Sequence, residues 1–182
     1  MATKVSAFVA TSIDGFIARK DGNIDWLNKP NKQESELQDF GYNNFIKSID
    51  VIVMGRKTFE QIITFEKWPF EKKEVIVLGS KNIKISKTLS NTVKTSKESP
   101  KNLINMLSNI GIRNIYVDGG LTIQSFILAH LLDEITITLV PILLGDGISL
   151  FGPLIKDVQL QHLKTTTFNS GFVQIKYLLN KN

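Results

Sequence analysis

The chain has 182 residues, of which 42% are hydrophobic and 21% charged, which is ordinary for a globular protein and long enough for one core. It has no cysteine, which excludes disulfides, thiolate metal sites and cysteine nucleophiles. Its two histidines lie far apart and no apolar run reaches the length of a membrane helix, so neither a metal site nor a membrane span is expected. The first residues carry no signal-peptide pattern, and we predict a cytoplasmic protein whose residues 1–182 form one domain.

The net charge is +5, and six lysines between Lys81 and Lys101 face one acidic residue, Glu98. We interpret this stretch as a solvated surface whose charge helps to capture a polyanionic small molecule. Aromatic residues do not alternate with the lysines, so the stacking platform of a single-strand binder is not indicated. No nucleic-acid partner is therefore predicted.

The N-terminal part predicts a buried strand followed by a long loop. Lys4 to Ala10 is the strand, and Asp14-Gly15 is a turn signal at the start of the loop. The loop ends in the apolar sequence Ile24 to Leu27, and long loops of this kind are often functional.

A helix is expected after this loop. Ser35 and Gln38 have the spacing of a capping box and predict a helix that runs towards Ser48. Asp39 lies on this helix beside the presumed cleft, and Gly41 weakens the helix enough to permit a break.

The centre of the chain is an apolar strand that ends in a turn rich in polar residues. Val51 to Met54 is an unbroken apolar run, typical of a strand buried on both faces. Gly55-Arg56-Lys57-Thr58 follows at once, and Thr58 with Gln61 has capping-box spacing for a helix.

A second strand ends in the same way. Ile115 to Val117 leads into Asp118-Gly119-Gly120, and a helical stretch follows from Leu121. Helix N-termini attract phosphate, and glycine permits a phosphate to approach the backbone closely. We therefore predict a diphosphate held between the turns at Gly55–Thr58 and Gly119–Thr122, although a Gly-Gly sequence after a strand is also common as plain turn chemistry.

The remaining elements complete an alternating pattern. Glu74 to Leu78 predicts a strand, Ser99 and Pro100 open a helix that ends at Gly111, and Ile135 to Val140 is a further strand. The last strands, 159–168 and 172–179, are joined by Asn169-Ser170-Gly171 as a hairpin. The sequence thus predicts an α/β fold: a mainly parallel sheet with helices on both faces and a C-terminal antiparallel hairpin.

Five stretches taken together carry a resemblance to a known family. They are Thr11–Ala18, Val53–Glu60, Val117–Gly120, Leu132–Ile135 and Pro141–Gly145. In this order they resemble the dihydrofolate reductase-like superfamily, and most closely the reductase domain of riboflavin-biosynthesis proteins and its small stand-alone relatives. The resemblance implies a three-layer α/β/α fold and NADPH as the cofactor.

The resemblance also implies which residues bind NADPH. Both turns belong to this set, as do a loop beside the nicotinamide and a strand end beside the 2′-phosphate. The residues implied are Ala10, Ile17, Ala18, Gly55, Arg56, Lys57, Thr58, Ser80, Lys81, Gly119, Gly120, Leu121 and Thr122.

For the substrate, the resemblance implies contacts from Asp14, Trp26, Asp39 and Asp118. Asp39 or Asp118 is expected to help protonate the substrate, with a helix-face acid and a turn cap as the respective alternatives. The expected function is NADPH-dependent reduction of a small heteroaromatic molecule of pterin or aminopyrimidine type. The alternative is a non-catalytic NADPH-binding protein of the same fold. The family's dimers and the apolar hairpin predict a homodimer.

Overall fold

The computed structural model describes residues 3–28, 39–70, 72–79 and 83–180. Its strands are β1 (Lys4–Ser12), β2 (Phe16–Ala18), β3 (Val51–Gly55), β4 (Glu74–Leu78), β5 (Val93–Ser96), β6 (Asn114–Asp118), β7 (Glu134–Val140), β8 (Ile148–Ser149), β9 (Leu160–Thr167) and β10 (Val173–Leu179). Its helices are a short 3-10 helix (Asp25–Asn28), α1 (Tyr42–Ser48), α2 (Arg56–Ile62), α3 (Pro100–Asn109) and α4 (Gly120–Leu128).

Eight strands form the central sheet in the order β5-β4-β3-β6-β1-β7-β10-β9. The first six of these are parallel, and β10 is antiparallel to both β7 and β9. β2 and β8 pair separately as a small antiparallel sheet. The predicted mainly parallel sheet with a C-terminal hairpin is confirmed. Because parallel strands share a direction, the ends of β1, β3 and β6 meet at one edge, where a ligand site is expected.

The sheet is buried on both faces because alternate residues of its central strands pack into different clusters. Val51 and Val53 of β3 lie in the cluster that contains α3 and α4 residues, whereas Ile52 and Met54 lie in the cluster that contains α2 residues. Tyr116 of β6 joins the second cluster. The unbroken apolar runs of β3 and β6 are thus explained by a helical layer on each side.

Helix α2 begins earlier than its sequence pattern predicts. Its N-cap is Gly55 and no side chain caps it, so the capping box expected from Thr58 and Gln61 is wrong. Thr58 instead lies in the first turn of the helix, where its side chain faces Gly119. The Thr58 side chain packs against Gly119 in the folded protein, and it therefore does not cap the helix.

Helix α1 starts later than predicted. The described part begins at Tyr42, directly after Gly41, whose φ is 82°. Ser35 and Gln38, the expected capping box, lie outside the described residues. Gly41, which was expected to weaken the helix, is the residue immediately before its first turn.

The predicted caps of α3 are confirmed. The Ser99 side chain accepts a hydrogen bond from the Asn102 amide at 3.3 Å, and Pro100 is the first helical residue. Gly111 follows the helix with a φ of 92°, and its amide donates to the carbonyl of Ser108. Within the described ranges, no helix is long and apolar enough to span a membrane.

Candidate functional site

The two glycine turns pack directly on each other at the carboxyl edge of the sheet. A Cβ atom on Gly119 would overlap with the hydroxyl of Thr58, and one on Gly55 would lie 2.9 Å from the hydroxyl of Thr122. Each turn therefore supplies the glycine that the threonine of the other turn requires. The predicted proximity of the turns is confirmed, but these two glycines create space for protein side chains rather than for a ligand.

Both turns leave helix amides without side-chain caps. Gly55 caps α2 and Gly119 caps α4, and neither provides a side-chain acceptor. Gly119 has a φ of 89°, a conformation that suits glycine. The uncapped amides at the start of α4, a helix of nine residues, can donate hydrogen bonds to an anion from solution.

A second wall of the site comes from the small β2–β8 sheet. A Cβ atom on Gly120 would lie 2.8 Å from Cδ1 of Ile17 and 3.2 Å from the carbonyl oxygen of Ser149. Ala18, at the end of β2, is buried and pairs with Ile148. Ile17 and Ala18, both expected near the nicotinamide, therefore lie beside the second glycine turn. Ala10 lies on β1 and is half-buried.

The positive charge of the site comes from the first turn. The Arg56 guanidinium forms an ion pair with Glu60 at 2.8 Å, and its Cβ lies near Gly79 at the end of β4. Lys57 is exposed. Ser80 and Lys81, expected at the 2′-phosphate, lie outside the described residues. Of the second turn, Leu121 is 71% exposed, whereas Thr122 is buried.

Asp118 ends β6 immediately before the second turn, with its side chain largely removed from solvent. One carboxylate oxygen accepts a hydrogen bond from the Gly119 amide at 2.8 Å. Burial raises the pKa of Asp118 to about 6, although the Gly119 amide and the Tyr116 hydroxyl both act to lower it. The carboxyl group can therefore carry a proton near neutral pH, as a general acid requires.

Two tyrosines surround Asp118. Tyr116, two residues earlier on the same face of β6, donates its hydroxyl proton to the carbonyl oxygen of Phe8 at 3.1 Å and also neighbours the Asp118 carboxylate. Tyr42 of α1 packs edge-on against Tyr116, with ring centroids 6.4 Å apart. Burial, followed by the charge of Asp118, raises the pKa of both tyrosines, so both stay protonated.

Asp39 occupies a different environment. It is exposed, and its two carboxylate oxygens accept hydrogen bonds from the amides of Gly41 at 3.0 Å and Asn43 at 2.9 Å. The Gly41 amide, followed by the Asn43 amide, lowers the pKa of Asp39, which therefore stays ionised at neutral pH. The structure thus places Asp39 just before α1 as an exposed acid that accepts hydrogen bonds from the first amides, whereas the alternative considered from the sequence was an exposed helix-face acid. A catalytic role for Asp39 stays a prediction.

Asp14 and Trp26 both support loops around the site. Asp14 accepts hydrogen bonds from the amides of Leu144 and Gly145, at 3.1 and 2.7 Å, and so joins the first loop to the segment after β7. Trp26 is completely buried and lies in a cluster with Val140. Direct substrate contact stays a prediction for each.

Two features of the site were missed by sequence reasoning. The reciprocal packing of Thr58 and Thr122 has no local signal, because it joins residues 64 positions apart through their glycine partners. Tyr116 could have been found, since alternate residues of a strand share a face. Tyr42 could not, because its position depends on how α1 crosses the sheet.

Comparison with known proteins identifies relatives that align over nearly the whole chain. The protein YwjB of Bacillus subtilis (strain 168), which is uncharacterized, is 31% identical over 181 residues, covering 98% of this chain and 99% of YwjB. A crystal structure from Shewanella sp. PV-4, provisionally described as a riboflavin biosynthesis protein, superposes with a TM-score of 0.90 at 34% identity, covering 98% of this chain and 99% of that one.

A more distant structure shows the same fold. Dihydrofolate reductase from Enterococcus faecalis, complexed with NADP(H) and an inhibitor designated RAB-propyl, has a TM-score of 0.65 at 17% identity and covers 97% of this chain and 96% of its own. Residues 3–174 match the RibD C-terminal domain family. Because this match includes both glycine turns and Asp118 between them, the chain belongs to the RibD C-terminal domain family and has the dihydrofolate reductase-like fold.

Proposed function

We propose that the protein is an NADPH-dependent reductase of a small heteroaromatic substrate of pterin or aminopyrimidine type, acting on a C=N bond. One observation carries the proposal. A half-buried carboxylic acid, with a pKa raised to about 6, lies directly beside two glycine turns that leave helix amides uncapped. An anion-binding edge and a proton donor are thus adjacent, as reduction of a C=N bond requires.

The residues present suit a dinucleotide diphosphate. The amides of Gly120, Leu121 and Thr122 begin α4 without a capping side chain, and Arg56 and Lys57 supply positive charge from the facing turn. When bound, NADPH supplies a hydride to the substrate carbon. The structure of Enterococcus faecalis dihydrofolate reductase with NADP(H) supports this choice of cofactor through its shared fold.

Asp118 is the proton donor in this proposal. Its carboxyl group delivers a proton to the substrate nitrogen, and solvent returns it in the next cycle. The Gly119 amide fixes one carboxylate oxygen at 2.8 Å and leaves the other oxygen to meet the substrate. Tyr116 and Tyr42, both protonated, form the wall behind the carboxyl group.

The test is NADPH oxidation over a panel of pterins and aminopyrimidines, with Asp118→Asn, Asp39→Asn and Asp157→Asn as variants. We expect Asp118→Asn to lower kcat/KM by roughly 10²- to 10⁴-fold because it removes the general acid. Asp157 is exposed and is not among the residues assigned to the site, so Asp157→Asn is the matched control and is expected to keep full activity.

Other results would redirect the proposal. A larger loss in Asp39→Asn than in Asp118→Asn would transfer the acid role to Asp39. Saturable NADPH binding without oxidation over the whole panel would favour the non-catalytic binding protein. Failure to bind NADPH at all would refute both readings.

A further inference from the structure

A cavity of about 510 Å³ opens between the C-terminal half of α2, the turn that follows it and residues 84–89. Phe59 and Ile62 form its floor and are 1% and 8% exposed. Trp68 and Leu89 line it from either side. None of the residues of the two glycine turns lines this cavity, so it is separate from the candidate active site.

The cavity is lined mainly by apolar and aromatic side chains. Trp68 packs edge-on against Phe59 and Phe70, with ring centroids 6.0 and 5.3 Å apart. Ile63 and Phe65 also line the cavity and are 45% and 41% exposed. Large apolar side chains exposed around a concave surface commonly mark a binding site, and the volume lies in the range of small-molecule pockets.

The polar groups of the cavity include a single charge. The hydroxyls of Ser86 and Thr88 hydrogen-bond to each other at 2.8 Å and so satisfy one another. Lys84 is exposed, and no acidic group pairs with it in the ranges that the structure describes. An apolar cavity with one uncompensated cation is complementary to an apolar ligand that carries one negative charge.

We propose that this cavity binds a small aromatic monoanion, an aryl carboxylate or aryl sulfonate, with its rings among Phe59, Trp68 and Leu89 and its acid group at Lys84. The edge-on arrangement of Trp68 and Phe59 leaves aromatic surface for a further ring to pack against. A phosphate-rich ligand is a poorer match, because among the described residues one cation faces a wall that is mainly apolar. The net charge of +5 favours the capture of any anion.

Anilinonaphthalene sulfonate, an aromatic monoanion that fluoresces when it leaves water, is the probe for this site. We expect saturable binding at one site with quenching of Trp68 emission. Its neutral analogue, phenylnaphthylamine, is expected to bind at least about tenfold more weakly, because it lacks the group that meets Lys84. Equal affinity for the two probes, or no saturable binding, would overturn the proposal.

Variants locate the probe. Lys84→Gln and Ile63→Glu are each expected to weaken binding of anilinonaphthalene sulfonate at least about tenfold. Met106→Glu is the matched control for Ile63→Glu, because Met106 is 55% exposed on α3 and does not line the cavity, and it should leave binding unchanged.

Circular dichroism verifies that each variant is folded. If Ile63→Glu fails to fold, the binding measured for Lys84→Gln tests the proposal alone. Binding that survives Lys84→Gln would overturn the proposal, as would displacement of the probe by NADPH. The second result would place the probe at the glycine turns, and it leaves the proposed reductase function unaffected.

Discussion

Asp118 is costly to keep ionised, and this predicts how stability depends on pH. Its pKa is about 6 in the folded protein against an ordinary value of 3.8, so between these values the folded state binds more protons than the unfolded state. The protonated Asp118 carboxyl group contributes to the free energy of unfolding in full below about pH 4. This contribution is lost as the pH rises through about 6. The loss amounts to roughly 3 kcal/mol.

We therefore expect Asp118→Asn to be more stable than the natural protein at pH 8, by up to roughly 3 kcal/mol, and the difference to shrink towards pH 4. Urea unfolding across this range measures it. Comparing the two proteins cancels the opposite effect of carboxylates whose pKa is lowered, such as Asp14 and Asp39. A variant less stable than the natural protein at pH 8 would show that the hydrogen bonds of Asp118 outweigh its burial.

The same group predicts the pH dependence of activity. If Asp118 donates the proton, kcat/KM falls as the pH rises past about 6, because the acid form is depleted. The measurement is the pH profile of NADPH oxidation with the best substrate of the panel. A profile that is flat from pH 5 to 8 would contradict proton donation by this residue.

At this scale the sequence predicts Asp39 and Asp118 as candidate acids but does not predict their environments. Asp118 was predicted from its place before Gly119-Gly120, and the structure puts it there. The two roles considered for Asp39 were a substrate acid and an exposed helix-face acid. Neither includes the hydrogen bonds that it accepts from the amides of Gly41 and Asn43, which have no signal in the sequence.

The contact between the two turns is a property of elements, and it predicts an unusually costly substitution. Gly111 and Gly119 have φ values of 92° and 89°, so alanine is strained at both, and more so at Gly119, whose ψ of 137° lies outside the left-handed helical region. A Cβ atom on Gly111 meets nothing within 4 Å, whereas one on Gly119 overlaps with Thr58. We expect Gly119→Ala to destabilise the protein by roughly 1–3 kcal/mol more than Gly111→Ala.

Urea unfolding of the two variants tests this difference, and Thr58→Ala tests its cause. In the double variant Thr58→Ala, Gly119→Ala the extra cost of the Gly119 substitution should partly disappear, since the overlapping hydroxyl is gone. Equal costs for Gly111→Ala and Gly119→Ala would mean that the turns separate easily and that their packing contributes little.

Helix ends and strand pairs could be predicted where they depend on residues close together in the sequence. The caps of α3 at Ser99 and Gly111 and the β9–β10 hairpin follow from short-range chemistry and are present as expected. The start of α2 was misplaced, because Thr58 had a capping pattern but a long-range partner. Local patterns fail where a tertiary contact competes for the same side chain.

On the scale of the whole molecule, the hairpin carries apolar side chains that stay partly accessible in the described part of the chain. Ile175 of β10 is paired with Ile137 of β7, and both are half-buried. Strand β9 forms the open edge of the sheet and is exposed along nearly its whole length. The alternative is that segment 151–160 covers this surface: Phe151 and Ile155 of the segment are 44% and 99% exposed, whereas Val158 packs against the core. Exposed sheet edges with apolar neighbours are usually covered by a partner.

We therefore propose a two-fold homodimer through β9 and β10, with the same surface on each chain. Sedimentation at micromolar concentration should show a species of about 41 kDa, twice the 20.4 kDa of one chain. Ile175→Lys should convert it to the single chain, because a buried lysine without a partner is unfavourable in an interface. Met106→Lys on α3 is the matched control and should remain dimeric, since Met106 lies on a helix away from the hairpin. A natural protein that sediments as a single chain at every concentration would refute the dimer.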